Sequence, residues 1–374
     1  MNFEFSDEQR MIQESVERFV TDSYDLESRV ALSNSDQGFS SDYWNQMAEL
    51  GWLALPFSEA DGGFGGSQID VLVIMEQFGK GLVVEPYLAS IVMGGGALKR
   101  GGSPALKEEM MPGVIDGTRQ LAFAYAEQQA RFDLDDVITA ARKDGEKFVI
   151  NGHKSMVQNA ATAHQIVVSA RTSGGQTDKN GITLFLVDVD APGVSKEDFP
   201  TVDGLRASEV TLKDVTLSAD RILGEVDQGF EILQAVANDA MLALAAEAVG
   251  AMEVLYKDTV AYTQERVQFD HPLSDFQALQ HKMVDMFMEY EQCKSLLYRA
   301  TLETVQSPEV AQRTIHAMMH AIGKYGIFVA ENAVQLHGGM GMTEDLRVGH
   351  YFKRLLVIDS LFGNADYHLQ QFAA

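Results

Sequence analysis

Three patterns of hydrophobic and polar positions follow one another along the chain. Residues 1–118 read mainly as helices separated by glycine-rich turns. Ser6-Asp7-Glu8-Gln9 has the form of a helix start, with Ser6 as cap and acids in the first turn. The loop Asp61-Gly62-Gly63-Phe64-Gly65-Gly66 closes one unit before a helix over Ile69–Phe78. From 119 to 225 the period shortens. Phe148-Val149-Ile150 runs into Asn151-Gly152, which predicts a hairpin turn. Gln165–Ala170 and Ile182–Val189 are β-rich, and Val210, Leu212, Val215 and Leu217 continue in short segments ending near Gly224. A mostly antiparallel β-domain is expected here. From 226 to 374 long helices return. Leu279, Met283, Met286, Tyr290, Cys293, Leu297 and Ala300 recur at helical steps, as do Ile315, Met319, Ile322, Gly326, Val329, Ala333 and Leu336. Such stripes fit long helices packed lengthwise, with the methionines as core filler and no metal site. The fold class expected is α+β, mostly α.

Composition narrows this reading. The 374 residues suffice for two or three packed units, and 46% hydrophobic with 22% charged residues is an ordinary globular balance. No long uncharged apolar span predicts a membrane helix, and Met1–Phe5 lacks the basic start of a signal peptide. The expected location is the cytoplasm. A single cysteine excludes an internal disulfide, and Cys293, inside an apolar stripe, is expected as a packed thiol. Acids outnumber Lys and Arg by 54 to 29, a net charge of −25. That balance opposes nonspecific binding to nucleic acid or to an anionic membrane. A polyanionic ligand needs basic residues gathered locally.

Nucleotide signatures are mostly missing: there is no GxxxxGK[ST] and no strand-borne GxGxxG. His337-Gly338-Gly339-Met340-Gly341 follows a helix instead. Read locally, it is a helix C-terminus or a tight turn that lets a ligand approach the backbone. Its wider setting adds to this. Arg266-Val267-Gln268-Phe269 is followed by His271-Pro272-Leu273 and then by Phe276-Gln277-Ala278-Leu279-Gln280, which opens the next helix. Gln335-Leu336-His337-Gly338-Gly339-Met340-Gly341 closes another. Together these resemble the C-terminal domain of the acyl-CoA dehydrogenase superfamily, the chain being a divergent member similar to the subunits of heteromeric acyl-CoA dehydrogenases. Trp44 to Phe64 is similar to that family's N-terminal pattern. Asp144-Gly145, Asn151-Gly152-His153-Lys154, Asn159 and Ala163 are similar to its middle domain.

The resemblance implies an N-terminal helical domain, a β-barrel-like middle domain and a C-terminal four-helix bundle. It implies FAD as cofactor, an acyl-CoA substrate and an electron-transfer partner such as electron-transfer flavoprotein. By resemblance, Arg266 pairs with the FAD pyrophosphate, suiting its planar fork and permanent charge, while Phe269 and Gln277 line the dinucleotide. Gln335, Gly338 and Gly339 meet the FAD of a neighbouring subunit, implying a homo-oligomer or a heterotetramer with a related chain. Read alone, Arg266 is a surface ion pair with Glu265 or Asp270.

The chain departs from the family where the chemistry happens. The usual Thr-Glu-Pro-Gly-Ala-Gly-Ser-Asp is here Ala126-Glu127-Gln128-Gln129-Ala130-Arg131-Phe132-Asp133. Ala126 lacks the hydroxyl that meets the flavin, and Phe132 replaces a serine that helps hold CoA. Met156-Val157-Gln158 stands for the Trp-Ile-Thr beside the flavin; Met156 can pack on the ring and Gln158 can donate a hydrogen bond. Phe362 replaces the glutamate of the common Tyr-Glu-Gly-Thr. A base must therefore come from elsewhere. Glu247 is the one charge in the apolar run Met241–Met252, with no Lys or Arg three or four residues away. Buried without a partner it would have the raised pKa of a general base; the alternative is that it faces solvent or is paired across the bundle. Asp239, Asp359 and Asp366 are weaker candidates. The reaction implied is α,β-dehydrogenation of an acyl thioester. The other readings are one subunit of a heteromeric enzyme with a shared FAD site, a related flavin reaction such as desulfination or oxygenation, and a flavin-free scaffold.

Overall fold

A computed structural model of the chain describes residues 5–374, so most of the Met1–Phe5 segment read above lies outside the described residues. Six helices come first: α1 (Asp7–Ser23), α2 (Leu26–Ser33), α3 (Ser41–Glu49), α4 (Gln68–Gly81), α5 (Gly96–Gly101) and α6 (Pro104–Ile115). Strands follow: β1 (Leu121–Ala124), β2 (Ala140–Asp144), β3 (Lys147–Gln158), β4 (Gln165–Arg171), β5 (Ile182–Asp188), β6 (Val194–Pro200), β7 (Arg206–Ser218) and β8 (Ile222–Leu223). After α7 (Gly229–Glu265) come a hairpin, β9 (Val267–Gln268) and β10 (His271–Pro272), then α8 (Gln277–Gln306), α9 (Pro308–His337), α10 (Arg347–Ser360) and α11 (Ala365–Ala373). The helical, sheet and helical stretches are those the sequence predicts.

Local chemistry sets the helix starts. The Ser6 hydroxyl accepts from the Gln9 N–H while the Gln9 side chain accepts from the Ser6 N–H, closing a capping box. Ser67 and Asp70 do the same for α4.

The chain divides into two compact units that cut across the three sequence stretches: residues 1–31, 67–83 and 241–374 in one, residues 32–66 and 84–240 in the other. In the first, α4 lies directly on α7. A Cβ at Gly79 would stand 1.9 Å from the Glu247 carbonyl oxygen, and one at Gly250 would stand 2.0 Å from that of Glu76. Only glycine permits so close a backbone approach. Helices α8, α10 and α11 pack on α9, and Met283, Met286, Tyr290, Cys293, Leu297 and Ala300 are buried. Burial raises the Cys293 thiol well above its ordinary value, as befits a packed, inert cysteine. Helix α7, 37 residues long, is apolar enough to cross a membrane, but 78% of its most apolar window is buried within the protein. It is a core helix.

In the second unit the strands run in the order β6-β7-β3-β2-β4-β5-β8, with β1 added in parallel to β4. Phe148, Ile150, Val168, Phe185 and Val210 sit in its core. The expected turn at Asn151-Gly152 is not there. The β2–β3 hairpin turns at Gly145 (φ 64°), between Asp144 and Lys147, and Asn151-Gly152 lies inside β3 at a register shift against β7. The glycine is required for space: a Cβ on Gly152 would meet the Thr139 hydroxyl at 2.4 Å. An Asn-Gly pair therefore marks a close approach here and not a reversal.

Candidate functional site

The site residues expected from the sequence fall into two sets, one in each unit. In the helical unit, three helix ends meet. Tyr262, in the last turns of α7, stacks on His337 with ring centroids 4.3 Å apart, and its hydroxyl donates to the His337 carbonyl at 3.4 Å. At the start of α8, Lys282 donates to Asn332 of α9 at 3.1 Å. Arg266, Gln277, Gln335, Gly338 and Gly339 belong to these same ends, and all are exposed.

The Arg266 guanidinium pairs with neither Glu265 nor Asp270, nor with any other described residue. Its backbone is fixed instead: its N–H donates to Tyr262 and its carbonyl accepts from Leu273. Phe269 and Asp270 form the tip of the β9–β10 hairpin with φ of 54° and 64°, which leaves Phe269 86% exposed. Helix α8 begins at Gln277 with no side chain capping its N-terminal N–H groups. Gly338 ends α9 at φ 62°, and a Cβ on Gly338 or Gly339 would meet nothing within 4 Å. A free cation, open N–H groups, an exposed aromatic ring and bare backbone are what an anionic dinucleotide requires.

Glu247 is buried as expected, but it has a partner. Arg354 of α10 donates from Nε to Oε1 at 2.6 Å and from its second terminal nitrogen to Oε2 at 2.7 Å, with both side chains under a tenth exposed. The pairing across the bundle is therefore the arrangement present. No helix-local signal in the sequence could reveal a cation 107 residues away. Asp239 is likewise held, by Arg100 at 2.5 Å; burial raises its carboxyl and Arg100 opposes the rise. Asp359 accepts from the Ala365 N–H at 2.9 Å and is raised by burial, while Asp366 is exposed. Phe362 is 7% exposed with φ 59°.

In the sheet unit, Met156 sits in a second register shift of β3 against β7, between Lys154 and Val157. Its φ is 55° and it is 48% exposed; Gln158, two residues on, is half-buried. The Ser155 N–H donates to the Ala126 carbonyl at 2.9 Å, tying this bulge to the loop that carries Ala126 and Phe132. Beneath it lies a buried ion pair that sequence reasoning passed over. Lys154 Nζ donates to Glu127 Oε1 at 2.7 Å and to the Ser169 hydroxyl at 2.9 Å. Glu127 also accepts from the Ile138 N–H at 2.9 Å and the Thr139 N–H at 3.1 Å. Burial pushes Lys154 down to about 8. Burial would raise Glu127, but Lys154 and the N–H donors outweigh it and hold the carboxyl below its ordinary value. The available sequence signal is an acid and a lysine within the two segments that resemble the family's middle domain, Ala126–Asp133 and Asn151–Lys154.

Known proteins agree with this architecture. Residues 6–118, 122–215 and 227–374 match the N-terminal, middle and C-terminal domains of acyl-CoA dehydrogenase. The probable acyl-CoA dehydrogenase YngJ of Bacillus subtilis is 30% identical over 353 residues, 93% of this chain and 92% of that one. Among solved structures, a variant of the Tcur3481-Tcur3483 steroid ACAD is 28% identical with a TM-score of 0.88, covering 98% of this chain and 97% of that one. The FAD complex of PigA is 25% identical with a TM-score of 0.92, covering 100% and 98%. The chain belongs to the acyl-CoA dehydrogenase family, a family of oxidoreductases.

Proposed function

We propose that this chain binds FAD and takes part in the α,β-dehydrogenation of an acyl-CoA thioester. The observation that carries the reading is the exposed Arg266, unpaired among the described residues, on the segment that leads into the uncapped start of α8. A protein with no anionic ligand has little reason to leave a free cation and an uncapped helix start together. Arg266 would hold the pyrophosphate, Phe269 and Gln277 would line the dinucleotide, and Gln335, Gly338 and Gly339 would meet it from a neighbouring subunit. Met156, Gln158 and Ala126 would flank the flavin ring, with Ala126 offering only its backbone. When bound, FAD supplies the acceptor for the hydride that leaves the substrate's β-carbon. An electron-transfer flavoprotein then removes the electrons. The core placement of α7 supports a soluble protein.

Glu247 serves as base only after Arg354 releases it, because both carboxylate oxygens are engaged by the guanidinium. A second reading draws on that closure. With Glu247 and Asp239 each clasped by arginine and Phe362 at the common base position, the chain fits one subunit of a heteromeric dehydrogenase whose related partner supplies the missing carboxylate.

The deciding measurement is the visible spectrum of the purified chain, followed by turnover of Glu247→Gln with a panel of acyl-CoA thioesters and a dye acceptor. Near-stoichiometric flavin with lost turnover in the variant supports a self-sufficient enzyme. Flavin with undiminished turnover removes Glu247 from the mechanism. A colourless chain that takes up FAD only when co-purified with a related subunit supports the heteromer, and one that never does overturns the proposal.

A further inference from the structure

A bulge in a sheet releases backbone donors that must be satisfied elsewhere. The bulge between Lys154 and Val157 releases two. One, the Ser155 N–H, goes to the Ala126 carbonyl. The other, the Met156 N–H, goes to Glu209 Oε1 at 3.3 Å. Glu209 lies on β7, one residue from each of Ser208 and Val210, the strand partners of Val157 and Lys154. Its second oxygen is engaged as well: His153 Nε2 stands 2.6 Å from Oε2, and His153 Nδ1 stands 3.1 Å from the Thr211 hydroxyl. One carboxylate therefore holds both His153, two residues ahead of Ser155, and the most strained member of the bulge. Met156 holds a left-handed φ of 55°, which a side-chain-bearing residue adopts only where its surroundings fix it. The product of that strain is an apolar side chain held half out of the surface.

We infer that Glu209 is a positioning residue: it fixes the bulge that sets where Met156 meets the flavin, and through Ser155 it keeps the Ala126 loop in register with that bulge. The flavin half of this inference rests on the FAD reading above. Glu209 itself touches no reacting atom. Glu209→Gln keeps one acceptor for the Met156 N–H, whereas Glu209→Ala keeps none, so the two substitutions separate the bond from the bulk.

The test uses the full-length chain, with deuterium exchange over residues 153–158 read alongside the flavin spectrum and FAD affinity. Glu209→Ala is expected to exchange about fivefold faster across this segment, the effect of losing one ordinary hydrogen bond. It is also expected to shift the flavin band and weaken FAD binding by a similar factor, with Glu209→Gln restoring most of both. Unchanged exchange in Glu209→Ala overturns the inference, because the carboxylate then does not hold the bulge. Faster exchange with an unaltered flavin band and affinity also overturns it, reducing Glu209 to a structural contact. A wild-type chain that binds no flavin, either alone or with a related subunit, sinks the FAD reading and the flavin half with it; the exchange data then still decide whether Glu209 holds the bulge.

Discussion

The two units each bury a carboxylate against a cation, and they do it differently. Glu247 and Arg354 form a two-point fork between α7 and α10. Glu127 and Lys154 form a node: the carboxylate also accepts two backbone N–H groups, and the ammonium also donates to Ser169. A fork joins two rigid helices and could be replaced by matched apolar side chains. A node organises irregular backbone that has no other source of hydrogen bonds. The difference shows that similar distances do not mean similar roles, and substitution can separate them.

The largest effect is expected at the node. Lys154→Met leaves Glu127 charged and buried beside a methyl group, a loss of roughly 3–5 kcal/mol for a broken buried pair. Urea unfolding with a sheet-unit probe checks this, and a loss under 1 kcal/mol would refute the node. Apolar replacement of both partners should not recover it, because Ile138 and Thr139 would then lose the carboxylate that accepts their N–H groups. The fork should behave oppositely. Arg354→Leu alone is expected to cost about 3 kcal/mol, and Glu247→Leu combined with Arg354→Leu should return most of that. A double variant no better than the single would erase the contrast.

The broad architecture was legible in the sequence because it rests on periodicity. The stripes through Met283 and Ile315 and the β-runs at Gln165 and Ile182 appear where the pattern put them. The misreadings arise where the meaning of a residue depends on a distant neighbour. Asn151-Gly152 looks like a turn until Thr139 is seen occupying the glycine's missing side chain. Glu247 looks unpaired until α10 brings Arg354 to it. Glu127, Lys154 and Glu209 carry no local signature at all, since polar residues in loops and strands are the ordinary case. Glu85, set in the apolar run Leu82–Tyr87, could have been noticed by the rule that singled out Glu247.

Glu85 sharpens the comparison from another side. It accepts the Ser40 N–H at 3.1 Å, yet burial outweighs its hydrogen bonds and pushes it up to about 7. A carboxyl raised in the folded state favours folding at low pH. Its contribution is complete below the unfolded value near 4.5 and is lost as pH rises through about 7. Glu85→Gln should therefore gain about 2 kcal/mol over wild type at pH 8 and little at pH 5. Parallel stability curves for the two proteins between those pH values would show that the carboxyl does not titrate as its burial requires.

The smallest expected effect concerns buried bases. His316 of α9 and His368 of α11 face each other with Nδ1 atoms 2.9 Å apart, so one ring donates and the other accepts. A proton on the accepting nitrogen would set two N–H groups against each other. Burial, followed by the neighbouring His316 and His320, lowers His368 to about 3. A histidine lowered in the folded state contributes stability that is complete above the unfolded value near 6.5 and declines as pH falls toward 3. Between pH 7 and 5 the wild type should lose about 1–2 kcal/mol through this pair. His368→Gln, which keeps a hydrogen-bonding group but cannot be protonated, should lose less over the same range, though it starts from a lower value. Deuterium exchange over 365–373 should locate the loss, since α11 is the element that the pair fastens to α9. Equal slopes in wild type and variant, with no added exchange in α11 at pH 5, would mean that the pair stays neutral at no measurable cost. The rule drawn from the two units would then hold for buried carboxylates and not for buried imidazoles.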